Sequence, residues 1–266
     1  IITTIAAVHM AHFPSTFAIA EAKAEVFEGM TGGTAVLNRD NAYFPFLACL
    51  GCCRGVGRII GFGAHPEAKA RLEHATFDAE GSTVSAVVSG EKLVYRLSIP
   101  GRQWAINSLA VLGAVKALGG DVAAAAASFA ALEGFEGRGR RHRVDLTDGS
   151  FEVIDESYNA SPISMRAALE ILATARPGSG GRRIAVLGDM LELGPNSSSM
   201  HVALAETIRR LAIDVVYTAG HDMAELDRTL PRDMRGAHCD TSDELAPIVV
   251  DAIRSGQAQP RLHVEA

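Results

Sequence analysis

Residues 151–172 read FEVIDESYNASPISMRAALEIL, and residues 182–194 read RRIAVLGDMLELG. Each stretch contains a short apolar run rich in β-branched residues, and polar residues follow the run at once. Between the two runs, residues 162–175 have the apolar spacing of a helix. A strand, a helix and a second strand in this order predict a crossover connection that makes the strands parallel. The stretches therefore predict a doubly wound, Rossmann-like sheet for the last part of the chain.

Polar clusters follow three of the predicted strands, at residues 155–156, 188–189 and 220–222. In sheets of this kind, ligands bind beyond the carboxyl ends of the strands, which lie at one edge. These clusters therefore predict a ligand site. A purely structural explanation stays open for the first of them, because Ser161-Pro162 is typical of a helix N-cap followed by proline.

The first hundred residues alternate β-rich runs with helical stretches, which predicts an α/β fold. Runs at 82–88 and 93–99 flank Ser89-Gly90 and predict a hairpin, so the sheet should be mixed. Composition changes sharply at the Gly- and Arg-rich residues 134–143, so we predict domains at 1–143 and 144–266. The run at Ile1–Val8 has no lead-in, and residues 256–266 do not resemble a buried strand. We therefore expect the first domain to be incomplete at its start and the second at its end.

Charge and composition exclude several classes of protein. The net charge of −6 at pH 7 gives no basic field for nucleic acid. The sequence has no apolar run of membrane-spanning length and no signal-peptide pattern, so we expect no membrane span and a cytoplasmic location. Cys49-x-x-Cys52 stands without a second such pair or a nearby histidine, which favours reduced, partly buried thiols over zinc or redox chemistry.

Lys23 is the most informative single residue. It shares a helical face with Ile19 and Phe27 by i,i+4 spacing, and Val26 lies on the same side. A desolvated, neutral amine can react with carbon dioxide to give an anionic carbamate that holds a divalent cation. His9 follows an apolar run and could contribute a second ligand from the same edge. Alternatively, Lys23 snorkels at the edge of a core and His9 is an ordinary core or capping residue.

Several short motifs together resemble the Mur ligase family. IITTIAAVHMAHF at the start resembles the family segment TNIxxxHxxxF, and EAKAEVFEGM resembles AKxEIF. GGTAVLNRDN, PGRQWAINSLAVLGAVKALG, VIDESYNASPISMRAAL and VLGDMLELG follow in the family order, so the resemblance runs from residue 1 to about 250. It implies part of the family's central ATPase domain, with a mixed sheet, followed by its Rossmann-like C-terminal domain.

DESYNASP and GDMLELG are most similar to the branch of the family that adds D-Ala-D-Ala to UDP-MurNAc-tripeptide. The resemblance implies an ATP-dependent amide ligase that works through an acyl phosphate in peptidoglycan synthesis, with ATP and Mg²⁺ as cofactors, and we expect a monomer. Two alternatives stay open. One is a folylpolyglutamate synthase-like ligase, and the other is a nucleotide-binding module without catalysis.

The resemblance also implies roles for individual residues. Lys23, as the carbamate, and His9 would bind magnesium. Contacts to ATP would come from four residues: Asn107, Arg141, Glu156 and Tyr158. Asp189 and Glu192 would contact the amino substrate.

Each of these assignments has a structural alternative. Asn107 could lie on an exposed helix face, the arginines could form a solvated linker, and the acids could belong to an ordinary loop. Arg138, Arg140 and Arg143 also lie close enough to Arg141 to be the phosphate ligand.

Two departures from the family pattern matter. Gln103-Trp104 stands where the family has His-Asn, so contacts near the adenine are expected to differ. The phosphate-binding pattern G-x-x-x-x-G-K-[ST] does not occur in the sequence. The family's UDP-sugar-binding domain and its closing strand have no counterpart either. We therefore expect this chain alone to have little or no ligase activity.

Overall fold

A computed structural model describes residues 1–146, 149–178, 180–254 and 260–265. Its contacts divide the chain into two compact units, Ile1–Leu132 and Glu133–Ala266. This division precedes the boundary predicted after residue 143, because residues 140–146 form a strand in the sheet of the second unit. Within the described ranges, no helix has both the length and the apolar character that crossing a membrane requires.

The first unit is built on a five-stranded mixed sheet in the order β1-β2-β3-β4-β5. The first three strands are parallel to one another, and β3, β4 and β5 are antiparallel neighbours. The strands are β1 (Thr34–Asn38), β2 (Arg58–Gly63), β3 (Ala70–Asp78), β4 (Gly81–Val88) and β5 (Glu91–Leu97). The helices are α1 (Thr16–Ala24), α2 (Phe44–Cys53), α3 (Arg102–Ala117) and α4 (Val122–Ser128). The predicted mixed sheet and hairpin are confirmed.

Helices cover both faces of this sheet because side chains alternate along its strands. Val36 of β1 belongs to a core cluster with Leu109 of α3. Its neighbour Leu37 belongs to a second cluster with Ile19 of α1 and Leu47 of α2. One strand therefore contributes to two apolar layers.

The second unit contains a six-stranded sheet in the order β10-β9-β8-β11-β7-β6. Its pairs are parallel except for β6 and β7, which are antiparallel. The strands are β6 (Arg140–Leu146), β7 (Gly149–Asp155), β8 (Arg182–Gly188), β9 (Val215–Ala219), β10 (Arg235–Cys239) and β11 (Pro260–Glu265). The helices are α5 (Pro162–Thr174), α6 (Ser197–Val202), α7 (Leu204–Arg210), α8 (Met223–Thr229) and α9 (Ser242–Arg254). The predicted Rossmann-like arrangement is confirmed.

Two expectations about the ends of the chain need correction. Residues 260–265 form a strand that pairs with both β7 and β8, where the sequence predicted no strand. Backbone pairing between two parallel neighbours can define such a strand without a long apolar run. At the other end, the β-rich run Ile1–Val8 forms only a single bridge, between Ile2 and Leu37, within the described residues.

Candidate functional site

Asn107 carries an unpaired polar atom in the first unit. Its side-chain Oδ1 is buried and has no hydrogen-bond partner within the described residues. The adjacent Ser108 is satisfied, because its hydroxyl lies 2.6 Å from the Tyr95 hydroxyl and donates to the Ala105 carbonyl. A buried acceptor without a donor costs about 1–3 kcal/mol. The Asn107 oxygen therefore fits a donor that a ligand would supply.

In the second unit, the turn after β7 is tied to the residues before β6. The Asp155 carboxylate accepts hydrogen bonds from the Gly137 N–H at 2.7 Å and the Ser157 N–H at 3.0 Å. The Tyr158 N–H donates to the Gly137 carbonyl. Gly137 has φ +69°, and a Cβ there would lie 2.8 Å from the Tyr158 Cβ. Only glycine fits this close approach, so the two segments form one polar surface.

The pKa values of Asp155 and Glu156, the two acids of this turn, are shifted in opposite directions. Burial alone would raise the pKa of Asp155, but hydrogen bonds from Ser157 and Gly137 outweigh it, and the pKa is lowered. The pKa of Glu156 is raised to about 7, because burial and, to a smaller extent, the charge of Asp155 raise it while Arg138 partly opposes both. Opposite shifts in adjacent acids are typical of functional sites, although structural networks also produce them.

The structure brings Arg138, rather than Arg141, to this turn. The Arg138 guanidinium carbon lies 4.2 Å from the centre of the exposed Tyr158 ring. Arg141 instead pairs with Glu152 at 3.0 Å. Arg141 is opposite Ile154 in the β6–β7 register, so the side chain of residue 152 shares its face of the sheet. The Arg141 assignment stays a prediction, and Arg138 has the better position.

The carboxylate of Asp189, which follows β8, forms hydrogen bonds within the fold. It accepts hydrogen bonds from the backbone N–H groups of Asp222 at 3.2 Å and Met223 at 2.8 Å. Gly220 allows this contact, because it has φ +111° and its Cβ would lie 2.3 Å from the Asp189 carboxyl carbon. Asp189 thus links the carboxyl ends of two neighbouring strands.

The loop after Asp189 alternates between buried and exposed residues. Met190 and Leu193 are buried at 1% and 2% exposure. Between them, Leu191 is 76% exposed, and Glu192 is exposed with a left-handed φ of +61°. The loop therefore displays one apolar and one acidic side chain between two core anchors.

His201 holds this loop, although no sequence pattern marks the residue. The residue is fully buried in α6. Its Nε2 accepts a hydrogen bond from the Met190 N–H at 2.8 Å, and its Nδ1 lies 2.8 Å from the Ser197 carbonyl. A lone histidine inside a helix carries no spacing pattern that distinguishes it from a core residue.

The expectation that Lys23 lies on an apolar face is wrong. Lys23 is exposed, as are Val26 and His9. The buried residues of α1 are Ile19, Ala20 and Ala24, so the apolar face of this helix is centred beside Lys23 and not on it. Lys23 therefore faces solvent. The assignment of Lys23 and His9 to a metal stays a prediction that burial does not support.

Other candidate metal ligands are also dispersed. In the described ranges, no group of three or more His, Cys, Asp or Glu residues could hold a metal ion. Cys49 and Cys52 are both exposed free thiols.

Comparisons with known proteins agree with the two-unit architecture. The Mur ligase middle domain matches residues 1–115, and the Mur ligase, glutamate ligase domain matches residues 139–261. The UDP-N-acetylmuramoyl-tripeptide--D-alanyl-D-alanine ligase of Escherichia coli is 31% identical over 222 residues, which cover 83% of this chain and 47% of the relative. The chain thus spans about half the length of this relative.

Solved structures show the same fold. MurF from Acinetobacter baumannii matches with a TM-score of 0.83 and 20% identity, over 99% of this chain and 55% of that one. MurF ligase from Thermotoga maritima in complex with ADP matches with a TM-score of 0.76 and 19% identity, over 100% of this chain and 58% of that one.

Proposed function

Because this chain belongs to the Mur ligase family, we propose that it takes part in ATP-dependent addition of D-Ala-D-Ala to UDP-MurNAc-tripeptide. In this reaction the terminal carboxylate of the precursor takes the γ-phosphoryl group of ATP, which releases ADP. The dipeptide amine then attacks the acyl phosphate, forms the amide and displaces inorganic phosphate. The name of the Escherichia coli relative supports this amine over glutamate, so the folate alternative is not favoured. We place the reaction in the cytoplasm, where ATP is available.

The buried, unpaired Oδ1 of Asn107 carries the proposal. A carbonyl-type oxygen accepts N–H groups, and the exocyclic amine of adenine is such a donor. We propose that Asn107 contacts the base, which would satisfy an acceptor that the chain itself leaves unpaired. This also supports nucleotide binding over a purely structural helix face.

In the second unit, we propose that the turn after β7 provides nucleotide contacts of its own. Arg138 supplies a cation beside Glu156 and Tyr158, and we favour it over Arg141 because the latter is already paired with Glu152. A guanidinium matches phosphate geometry and holds its charge at every physiological pH. Glu156 and Tyr158 keep their proposed roles as nucleotide contacts.

We keep Lys23 and His9 as proposed magnesium contacts. Magnesium, when bound, would screen the charge that develops on the phosphoryl group. For the amine, Asp189 and Glu192 remain the candidates. The Glu192 side chain is exposed, so it is accessible to an amine.

Nucleotide titration of the 266-residue chain tests the proposal, with Asn107→Ala as the variant. Val111→Ala is the matched control, because Val111 is an exposed residue of the same helix. We expect saturable ADP binding that Asn107→Ala weakens about tenfold, equivalent to one hydrogen bond of about 1.4 kcal/mol, and that the control preserves. Absence of saturable binding, or equal binding by Asn107→Ala, would refute the proposal.

Turnover is a separate question. The sequence contains no G-x-x-x-x-G-K-[ST] pattern to cradle the phosphates, so we expect the isolated chain to bind nucleotide with little or no ligation. An amine-binding screen decides between the two ligase alternatives, because it does not require turnover. Binding of glutamate in place of D-Ala-D-Ala would favour the folate ligase.

A further inference from the structure

We propose that His201 is a positioning residue that holds the loop 190–193 in the shape that displays Leu191 and Glu192 to the amine substrate. This inference rests on the proposed function, because it concerns the dipeptide half of the same site. It adds two residues, His201 and Leu191, that the sequence did not single out.

The hydrogen bonds of His201 fix one neutral tautomer. The Met190 N–H can only donate, so Nε2 must present a lone pair to it at 2.8 Å. The Ser197 carbonyl can only accept, so Nδ1 must carry the proton. The 3.8 Å separation between Nε2 and the Asp189 carboxylate is therefore a contact between two acceptors and not an ion pair. A buried ring with both nitrogens engaged is a rigid anchor.

The loop needs such an anchor because its backbone is strained. Glu192 adopts φ +61° without being glycine, which costs about 1–2 kcal/mol. Such a strained conformation persists only when several contacts from the surrounding structure hold it in place. Here the anchors are the buried side chains of Met190 and Leu193 together with the hydrogen bond from the Met190 N–H to His201.

The displayed pair suits the chemistry of the dipeptide. D-Ala-D-Ala carries one ammonium group and two methyl groups. A carboxylate at Glu192 complements the ammonium group, and the 76% exposed side chain of Leu191 offers an apolar contact for a methyl. Removing the His201 imidazole would not alter the side chains of Leu191 and Glu192, but it would release the backbone that orients them.

The experiment compares His201→Leu, which removes both ring hydrogen bonds, with His201→Gln, whose amide can both accept and donate. Thr207→Val is the matched control, because Thr207 is a buried polar residue on the neighbouring α7. Leu191→Ala is a second probe, whose exposed position leaves folding unaffected. Two quantities are measured on the 266-residue chain: the affinity for D-Ala-D-Ala by NMR titration, and the hydrogen-exchange rate of the Met190 amide.

We expect His201→Leu to weaken dipeptide binding and to accelerate Met190 exchange, each about tenfold or more. His201→Gln should restore both quantities towards wild type, and Thr207→Val should change neither. Leu191→Ala should weaken dipeptide binding without changing Met190 exchange. The rescue by glutamine separates positioning from a general loss of stability.

The opposing outcomes are distinguishable. If the wild-type chain binds ADP but not the dipeptide, the amine half of the proposed function fails, and this inference fails with it. If the wild type binds the dipeptide and His201→Leu or Leu191→Ala binds it equally well, only this inference is overturned. Should His201→Leu not fold, unchanged dipeptide binding by Leu191→Ala still overturns it.

Discussion

Replacing Glu156 with glutamine should change how the stability of the second unit depends on pH. The pKa of Glu156 rises from 4.5 in an unstructured chain to about 7 in the folded protein. Between these values the folded state holds a proton that the unfolded state has released, so stability falls as pH rises through this window. At 1.36 kcal/mol per pKa unit the loss is about 3 kcal/mol, which screening at the solvent-exposed edge reduces to about 2 kcal/mol. Glutamine does not titrate, so the Glu156→Gln variant does not lose this stability as the pH rises.

Urea unfolding of wild type and Glu156→Gln at pH 5 and pH 8 measures the effect. Circular dichroism follows both units, whereas the single tryptophan, Trp104, lies in the first unit and serves as an internal control. We expect similar stabilities at pH 5 and a variant that is more stable by about 2 kcal/mol at pH 8. A stability difference that is the same at both pH values would refute the linkage. A shift of the Trp104 transition would show that the effect is not confined to the second unit.

Further predictions concern backbone geometry, capping and the lysine. Gly63→Ala should cost about 3 kcal/mol or more, because its Cβ would lie 2.6 Å from the Asp40 carboxylate at φ +135°. The matched Gly55→Ala meets nothing within 4 Å at φ +85° and should cost only about 1 kcal/mol. Tryptophan-detected urea unfolding compares the two, and equal losses would contradict the clash. Ser161→Ala removes one half of a capping box and should cost the second unit about 1 kcal/mol by circular dichroism, whereas no loss would make the cap irrelevant. The proposed magnesium contact at Lys23 requires a carbamate, because a lysine ammonium group cannot bind a cation, so ¹³C-bicarbonate NMR in the presence of magnesium should show a carbamate carbon that Lys23→Ala removes, and absence of this signal would refute the assignment.

Strands with buried side chains could be predicted from the sequence, and edge strands could not. β8 and β9 are marked by apolar runs because helices cover them, and their predicted positions are confirmed. β6 lies at the sheet edge, and its Arg- and His-rich residues are mostly exposed, so it has the composition of a linker. β10, at the opposite edge, was not predicted either. Such strands are defined by backbone pairing, which leaves no apolar period in the side chains.

The candidate site, too, could be predicted only in part. Topology correctly predicted that polar residues follow β7 and β8 at the carboxyl edge. It did not predict which arginine lies against Tyr158, because Arg138 precedes β6 and reaches Tyr158 through the backbone contact at Gly137, whereas Arg141 lies within β6 and pairs with Glu152. The apolar face predicted for Lys23 was misplaced, because the buried residues of α1 are Ile19, Ala20 and Ala24, and this face is centred beside Lys23.

In both units, an aspartate after a strand accepts hydrogen bonds from two backbone N–H groups. An acidic residue at a strand end is therefore weak evidence for a ligand site. Asp40 follows β1 and accepts hydrogen bonds from the Ala64 and His65 N–H groups, both at 2.7 Å. Asp189 engages two N–H groups in the same way, and in both cases the nearby glycine has a positive φ that leaves room for the carboxylate. An aspartate at this edge is therefore explained by the fold alone. Asn107 differs, because its oxygen is buried and the described residues provide no donor for it. Internal hydrogen bonds do not account for this oxygen as they do for the two carboxylates, so Asn107 is stronger evidence for a ligand than either aspartate.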